Sequence, residues 1–380
     1  MLIPAYPEPA QIPQKGMLLH SKGMVIKMRT WESNIRKVQP YIPGEQPKEK
    51  DIIKLNTNEN PYPPAIGVQK VLEGFQSENL RLYPDPSSEE LVNVLAERYD
   101  VEPSQIFVGV GSDDVISMAF LTFFNSDKPI VFPDITYSFY DVWSEVYNIP
   151  YVTKPLDDDF RINENDYFCE NGGIIFPNPN APTGVYESLD KIESIIRANP
   201  DVIVMIDEAY IDFGGDSCIP LLKKYDNLLV IQTFSKSRSL AGARIGFAIG
   251  NEKLIKYLND VKFSVNSYTM NSLTQKIGVA AVNDESYFKE TVNKIIKTRE
   301  DAKLRLKELG FVFPDSKSNF IFAAHKEKPA GEIFEELKKK KIYVRYWNKP
   351  GINNYLRITI GTDEEMEKLF EALECILKTK

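Results

Sequence analysis

Lys236, Asp207 and Arg244 are the residues of this chain whose types and spacing could do chemistry together. The lysine lies in TFSKSRSLAGAR, 29 residues after the aspartate that follows VIVMI, and the arginine comes eight residues later. A lysine amine can hold an aldehyde as a Schiff base. A carboxylate ending an apolar strand is costly to bury without a cationic partner, which a protonated ring nitrogen supplies. Arg244 and the Ser235 hydroxyl offer charge-assisted hydrogen bonds to a phosphate. An aldehyde, a protonated ring and a phosphate on one small molecule describe pyridoxal phosphate, whose ring is an electron sink for a carbanion formed beside it. Singly, each residue has a plainer reading: a lysine in a solvated turn, an aspartate capping a helix. Their order and spacing carry the argument.

Composition narrows the alternatives. At 380 residues, 43% hydrophobic and 26% charged, the chain can bury a large core and is long for one domain. No apolar run approaches the roughly 18 to 20 residues of a membrane span. The opening stretch MLIPAYPEPAQIPQKGMLLHSKGMVIKM holds four prolines and no apolar run of signal-peptide length. Residues 1–28 are therefore expected to be a loose leader on a cytoplasmic protein, with Met24 or Met28 equally able to start it. A net charge of -8 and a pI near 5.2 argue against nucleic acid or an anionic membrane as partner and leave small molecules. Cys169, Cys218 and Cys375 are odd in number and far apart, as in a reducing compartment. With only His20 and His325 as histidines, no metal site and no Ser-His-Asp triad are expected.

From about residue 105 to 250, short apolar runs alternate with polar or Gly/Pro-rich turns and helical segments, the α/β pattern. QIFVGV, PIVF, GGIIF, VIVMI, NLLVI and GFAIG are short and bare of charge, like strands buried on both faces. Ligand groups in such folds sit beyond the carboxyl ends of the strands. There the unusual residues fall: Ser112 and Asp113, then Asp134 and Tyr137, Asn178 and Asn180, Asp207 and Tyr210, and Lys236. GVGSDD is no dinucleotide fingerprint, because its sixth residue is Asp114, but its turn can offer amides and a helix N-terminus to one phosphate. After about residue 270 the segments become long and amphipathic. Residues 284–309 read as one helix stopped by Gly310, Thr362 with Glu365 as a capping box, and Lys338 to Lys341 as a solvated helix end. The organisation expected is an N-terminal arm over 29–58, a large domain over 59–270 and a small C-terminal domain over 271–380.

The chain resembles the fold type I aminotransferases, and within them the histidinol-phosphate branch. The likeness is carried by KLNTNENPYPP (54–64), RLYPDP (81–86), GVGSDD (109–114), PNPNAPTG (177–184), DEAYIDF (207–213), TFSKSRSLAGARIGF (233–247) and YLRITIGT (355–362), and runs from about residue 31 onward. It implies a mostly parallel central sheet between helices in the large domain, plus a smaller α+β domain. It also implies that Lys236 holds pyridoxal 5'-phosphate and moves the substrate proton. Asp207 would face the ring nitrogen, Tyr137 would stack on the ring, and Tyr210 would meet its 3-hydroxyl. Ser112, Asp113, Ser235 and Arg244 would surround the phosphate. Relatives carry asparagine immediately before Pro-Thr-Gly, where this chain has Ala181. Either Asn180 reaches in from one place earlier, the reading favoured, or Tyr210 makes that contact alone.

On the substrate side, the resemblance gives Arg357 the amino-acid carboxylate, Arg345 a second anion and Asn60 a place in the site. Tyr83 and Tyr41 would cross from a neighbouring subunit, Tyr83 to the cofactor phosphate and Tyr41 toward substrate, so a homodimer with shared active sites is expected. The implied reaction exchanges histidinol phosphate and 2-oxoglutarate for 3-(imidazol-4-yl)-2-oxopropyl phosphate and glutamate, a step of histidine biosynthesis. An aromatic amino acid aminotransferase or a threonine-phosphate decarboxylase would use the same kit. A non-catalytic regulatory protein binding the same cofactor would be expected to carry a basic DNA-reading domain, which the short leader cannot supply.

Overall fold

Buried strands and amphipathic helices divide the chain between two sheets. The computed structural model describes residues 30–378; the leader, with His20, Met24 and Met28, lies outside the described residues. In chain order the strands are β1 (Ile53–Leu55), β2 (Ile106–Gly109), β3 (Ile130–Pro133), β4 (Tyr151–Lys154), β5 (Ile174–Pro177), β6 (Val204–Asp207), β7 (Leu228–Thr233), β8 (Gly246–Gly250), β9 (Phe311–Val312), β10 (Phe320–His325), β11 (Ile342–Tyr346) and β12 (Leu356–Thr359).

The seven-stranded sheet runs β2-β8-β7-β6-β5-β3-β4. Only β8 opposes its neighbours; the other pairings are parallel, so the remaining strands point the same way. Every residue of β2, β3, β5, β6, β7 and β8 is buried, as their uncharged sequences demand of strands covered on both faces. Each fully buried Ile, Leu or Phe here contributes on the order of 1.5–3 kcal/mol. The edge strand β4 escapes the sequence pattern because YVTK is largely exposed and no apolar run marks it. At the carboxyl ends of the parallel strands the chain turns into the segments that bear Ser112, Tyr137, Asp207 and Lys236.

The five-stranded sheet runs β1-β11-β12-β10-β9, with β1 parallel to β11 and the rest antiparallel. Helices Glu285–Glu308, Ala330–Lys339 and Asp363–Lys378 bury Ile295, Ile333 and Leu369 with Phe320 and Ile358 of the sheet. Their ends follow local chemistry. Asp284 accepts from the Tyr287 amide, Thr362 and Glu365 cap one another reciprocally, and Gly310 takes φ +86° after the long helix. β1 brings residues 53–55, expected to lie in a surface arm, into this sheet, and the following Asn56, Thr57 and Asn58 lead to the site. Both sheets belong to the unit that starts at Val38; Thr30–Asn34 forms a 3-10 helix in a separate unit ending at Lys37. Among the described residues no helix is long and apolar enough to cross a membrane.

Candidate active site

Two adjoining cavities lie beyond the carboxyl ends of the strands, sharing Tyr137, Ala181, Tyr210 and Lys236. The inner one, about 590 Å³, is closed at one end by an anion cup. Gly111 turns the chain from β2 into helix Ser112–Phe123, whose first amides and positive dipole end face the cavity. A side chain at Gly111 would collide with the Arg244 guanidinium, and one at Gly246 with the Gly111 and Ser112 backbone, so glycine at both positions is what lets the cup close. Arg244 donates to Ser235 Oγ at 3.4 Å and pairs with Asp113 Oδ2 at 3.2 Å. Asp113 also accepts from Tyr137 Oη at 2.7 Å. Its carboxylate therefore braces Arg244 and Tyr137, while its backbone stands at the helix N-terminus.

At the other end of the inner cavity, Asp207 terminates β6. It is 4% exposed and forms no ion pair among the described residues; it accepts from Tyr140 Oη at 3.0 Å and from the Ala209 amide at 3.1 Å. Burial pushes its carboxyl up to about 6, against those two hydrogen bonds. Burial and nearby carboxylates, Asp113 for Tyr137 and Asp207 for Tyr140, raise both phenols well above the usual tyrosine range, so both act as donors. A buried carboxylate lacking a cation is a receptor for a positively charged ring edge.

Lys236 follows β7 and stands at the junction. Its Nζ donates to the Thr57 carbonyl at 3.3 Å and lies 5.7 Å from the Tyr210 ring centre. The outer cavity, about 910 Å³, is lined partly by loops. Tyr41, expected from a neighbouring subunit, lines it within this same chain, stacked on Phe139 at 4.2 Å. Arg345 and Arg357 are register partners on β11 and β12. Arg357 donates to the Asn56 carbonyl at 3.0 Å and lies 5.2 Å from both the Phe320 and Trp347 rings, while its Nε is buried without a partner. Burial pulls its guanidinium below the ordinary arginine value, an effect Arg345 reinforces. Arg345 donates to the Ile42 and Pro43 carbonyls at 3.3 and 3.4 Å and lies 5.1 Å from the Trp347 ring.

Two expected residues lie elsewhere, and Tyr83 is a residue expected at a neighbouring subunit's site rather than at these cavities. Asn180, expected to reach the ring, lines neither cavity: its amide donates to the Ile135 carbonyl at 3.0 Å and to Thr183 Oγ1 at 2.9 Å, and the methyl of Ala181 faces both cavities instead. Asn60 is spent on the Ser237 carbonyl and the Tyr62 amide; Thr57 and Asn58 line the outer cavity in its stead. Tyr83 is 82% exposed, its ring 4.6 Å from that of Tyr268, and lines neither cavity. The sequence reading passed over Tyr140, Asn58 and Trp347. Only the spacing of Tyr137 and Tyr140, which puts both on one turn, could have flagged the first.

Residues 50–373 match the family described as aminotransferase class I and II. The chain is 55% identical over 351 residues to a histidinol-phosphate aminotransferase of Lactococcus lactis subsp. cremoris, covering 92% of this chain and 99% of that protein. Among solved structures it resembles histidinol-phosphate aminotransferase from Sinorhizobium meliloti in complex with pyridoxal-5'-phosphate, with TM-score 0.78, 23% identity and coverage of 86% and 91%. It also resembles L-threonine-O-3-phosphate decarboxylase from Porphyromonas gingivalis, with TM-score 0.74, 21% identity and coverage of 86% and 100%. At these identities the two structures speak for the fold alone.

Proposed function

The chain belongs to the class I and II aminotransferases, and from that premise we propose that it exchanges the amino group of histidinol phosphate with 2-oxoglutarate, using pyridoxal 5'-phosphate. The observation that carries the reading is the placement of three groups along one continuous space: Arg244 in a helix-terminal cup, Asp207 buried without a cation, and the Lys236 amine between them and the outer cavity. The residues fit the cofactor. Its phosphate suits the Gly111-Ser112 turn with Ser235 and Arg244, its ring nitrogen suits Asp207, and Tyr137 and Tyr210 border the space for the ring. When bound, the cofactor supplies an electrophilic aldehyde and an electron-withdrawing ring.

The protein's part is to hold, orient and move a proton. Asp207, kept in place by Tyr140 and the Ala209 amide, would keep the ring nitrogen protonated. Lys236 would hold the cofactor and, once displaced by substrate, its Nζ would take up the proton from the carbon bearing the amine. The Thr57 carbonyl is 3.3 Å from that amine and orients it. Arg357, with an unpartnered Nε, and Arg345 receive the substrate's anion, the phosphate ester of histidinol phosphate or a carboxylate of glutamate. Both half-reactions then use one site, because either anion meets the same two guanidinium groups.

We further read a cytoplasmic homodimer with a large domain over residues 59–270 and a small one over 271–380. Support comes from Tyr83, exposed and lining neither cavity of its own chain, and from three unbridged cysteines. The test is a single-turnover spectrum of the cofactor-loaded protein mixed separately with histidinol phosphate and glutamate. Loss of the visible band with both donors is expected. Bleaching by glutamate and aromatic amino acids but not by histidinol phosphate would move the protein to another transamination, and released carbon dioxide to decarboxylation.

A further inference from the structure

The site contains a buried amide that no step above uses. Asn58, 1% exposed, donates from Nδ2 to Tyr210 Oη at 2.9 Å. Its other polar groups are also engaged: the backbone N–H donates to Thr359 Oγ1 at 3.1 Å, Oδ1 accepts from Thr359 Oγ1 at 2.9 Å, and the carbonyl accepts from Asn319 Nδ2 at 3.0 Å. The residue sits at φ +59°, a conformation asparagine tolerates and β-branched residues do not. Four hydrogen bonds to three neighbours leave the amide one orientation.

That orientation has a consequence for Tyr210. A phenol carries one proton, and an oxygen already receiving Asn58's donation is free to give its own proton elsewhere. A donation received also makes the phenol a stronger donor. Tyr210 lines both cavities beside Lys236; Asp113, Asp207 and Arg244 line the inner one with it, and Asp134, Arg345, Lys349 and Arg357 the outer one. The position that could have offered a second donor to the same spot is the methyl of Ala181, and the Asn180 amide is turned to Ile135 and Thr183.

We propose that Asn58 is a positioning residue that turns the Tyr210 proton toward the ring oxygen of the cofactor. This rests on the reading that the inner cavity takes pyridoxal phosphate. Thr57 and Asn58 then form one device, in which the carbonyl of the first orients Lys236 and the amide of the second orients Tyr210.

The decisive variant is Asn58→Asp, which keeps the size, tolerates the backbone conformation and retains an acceptor for Thr359. A carboxylate facing Tyr210 accepts its proton and draws it away from the cofactor, so the ring oxygen loses a donor. The pH midpoint of the bound cofactor's visible band should rise by about one unit in Asn58→Asp. In a Tyr210→Phe background the same substitution should move it by much less. Asn58→Gly, which preserves the positive φ and removes the donor, should raise the midpoint by a smaller amount. Equal shifts with and without the Tyr210 hydroxyl would mean that the added charge acts directly, and an unmoved midpoint in Asn58→Asp would mean that Asn58 presents its oxygen to Tyr210; either overturns the proposal while leaving the transaminase reading intact. A wild-type protein that forms no visible band with pyridoxal phosphate sinks that reading and the proposal with it.

Discussion

The inner and outer cavities are walled differently. The inner cavity is set at strand ends and a helix start: Asp207 closes β6, Thr233 closes β7, and Ser112 opens a helix whose neighbouring glycines leave no room for a side chain. The outer cavity borrows Tyr41 and Gly44 from an irregular segment and Trp347, Lys349, Pro350 and Ile352 from the turn between β11 and β12. Groups at strand ends inherit the rigidity of a buried sheet, whereas loop groups can shift at little cost. The inner cavity is thus walled by the more rigid backbone and the outer one by the more adaptable.

Breaking the inner cavity should cost most. Lys236→Ala removes the group that holds the cofactor and moves the proton, and turnover should fall by at least about 10⁴-fold in steady-state assays. The Asp207 carboxyl tests the same wall through pH. Its folded value of about 6 lies above the ordinary 3.8, so in the cofactor-free protein it is a destabilising charge. The penalty is absent below about pH 4, grows through the window between 4 and 6, and is complete above it, at most about 3 kcal/mol. Cofactor-free Asp207→Asn should show a flatter thermal stability across that window than the wild type. Glu208, pushed by burial up to about 7, contributes a slope of its own, so the difference between the two proteins is the informative quantity.

Substitutions in the outer cavity should act on substrate more than on cofactor. Arg357→Ala should raise KM for both histidinol phosphate and glutamate by roughly 10- to 100-fold, the worth of a charged hydrogen-bonded contact, with cofactor affinity nearly unchanged. A similar loss of cofactor affinity would erase the contrast between the two cavities. Trp347→Ala removes the ring near both arginines and should raise KM by about 2- to 30-fold while leaving the cofactor's spectrum alone. The smallest effect is expected from Asn180→Ala: cofactor affinity within about twofold of wild type by spectral titration, because the amide serves the loop rather than the ligand.

How much of this was legible follows from how local each signal is. The six apolar runs of the large sheet, the long helix ended by Gly310 and the Thr362-Glu365 cap were readable because each depends on a few consecutive residues. Lys236, Asp207 and Arg244 were readable because three unusual residues stand next to strands at telling intervals. Asn180 and Asn60 lie away from the two cavities for a shared reason: each stands among other asparagines in its motif, and the loop conformation alone decides which of them, if any, lines a cavity, Asn56 and Asn58 in one motif and none in the other. Tyr140 and Asn58 went unnoticed because their partners lie 67 and 152 residues away.

The sequence by itself therefore determined the fold class, the strands that end at the site and the residue types capable of the chemistry, since periodicity, charge and spacing are properties of short stretches. Tertiary structure alone decided which amides line the cavities, that Tyr140 holds Asp207, that Asn58 holds Tyr210, and that Trp347 meets both arginines. Those are directed contacts between distant segments, and hydrogen-bond direction depends on where two backbones come to rest rather than on what either one is made of.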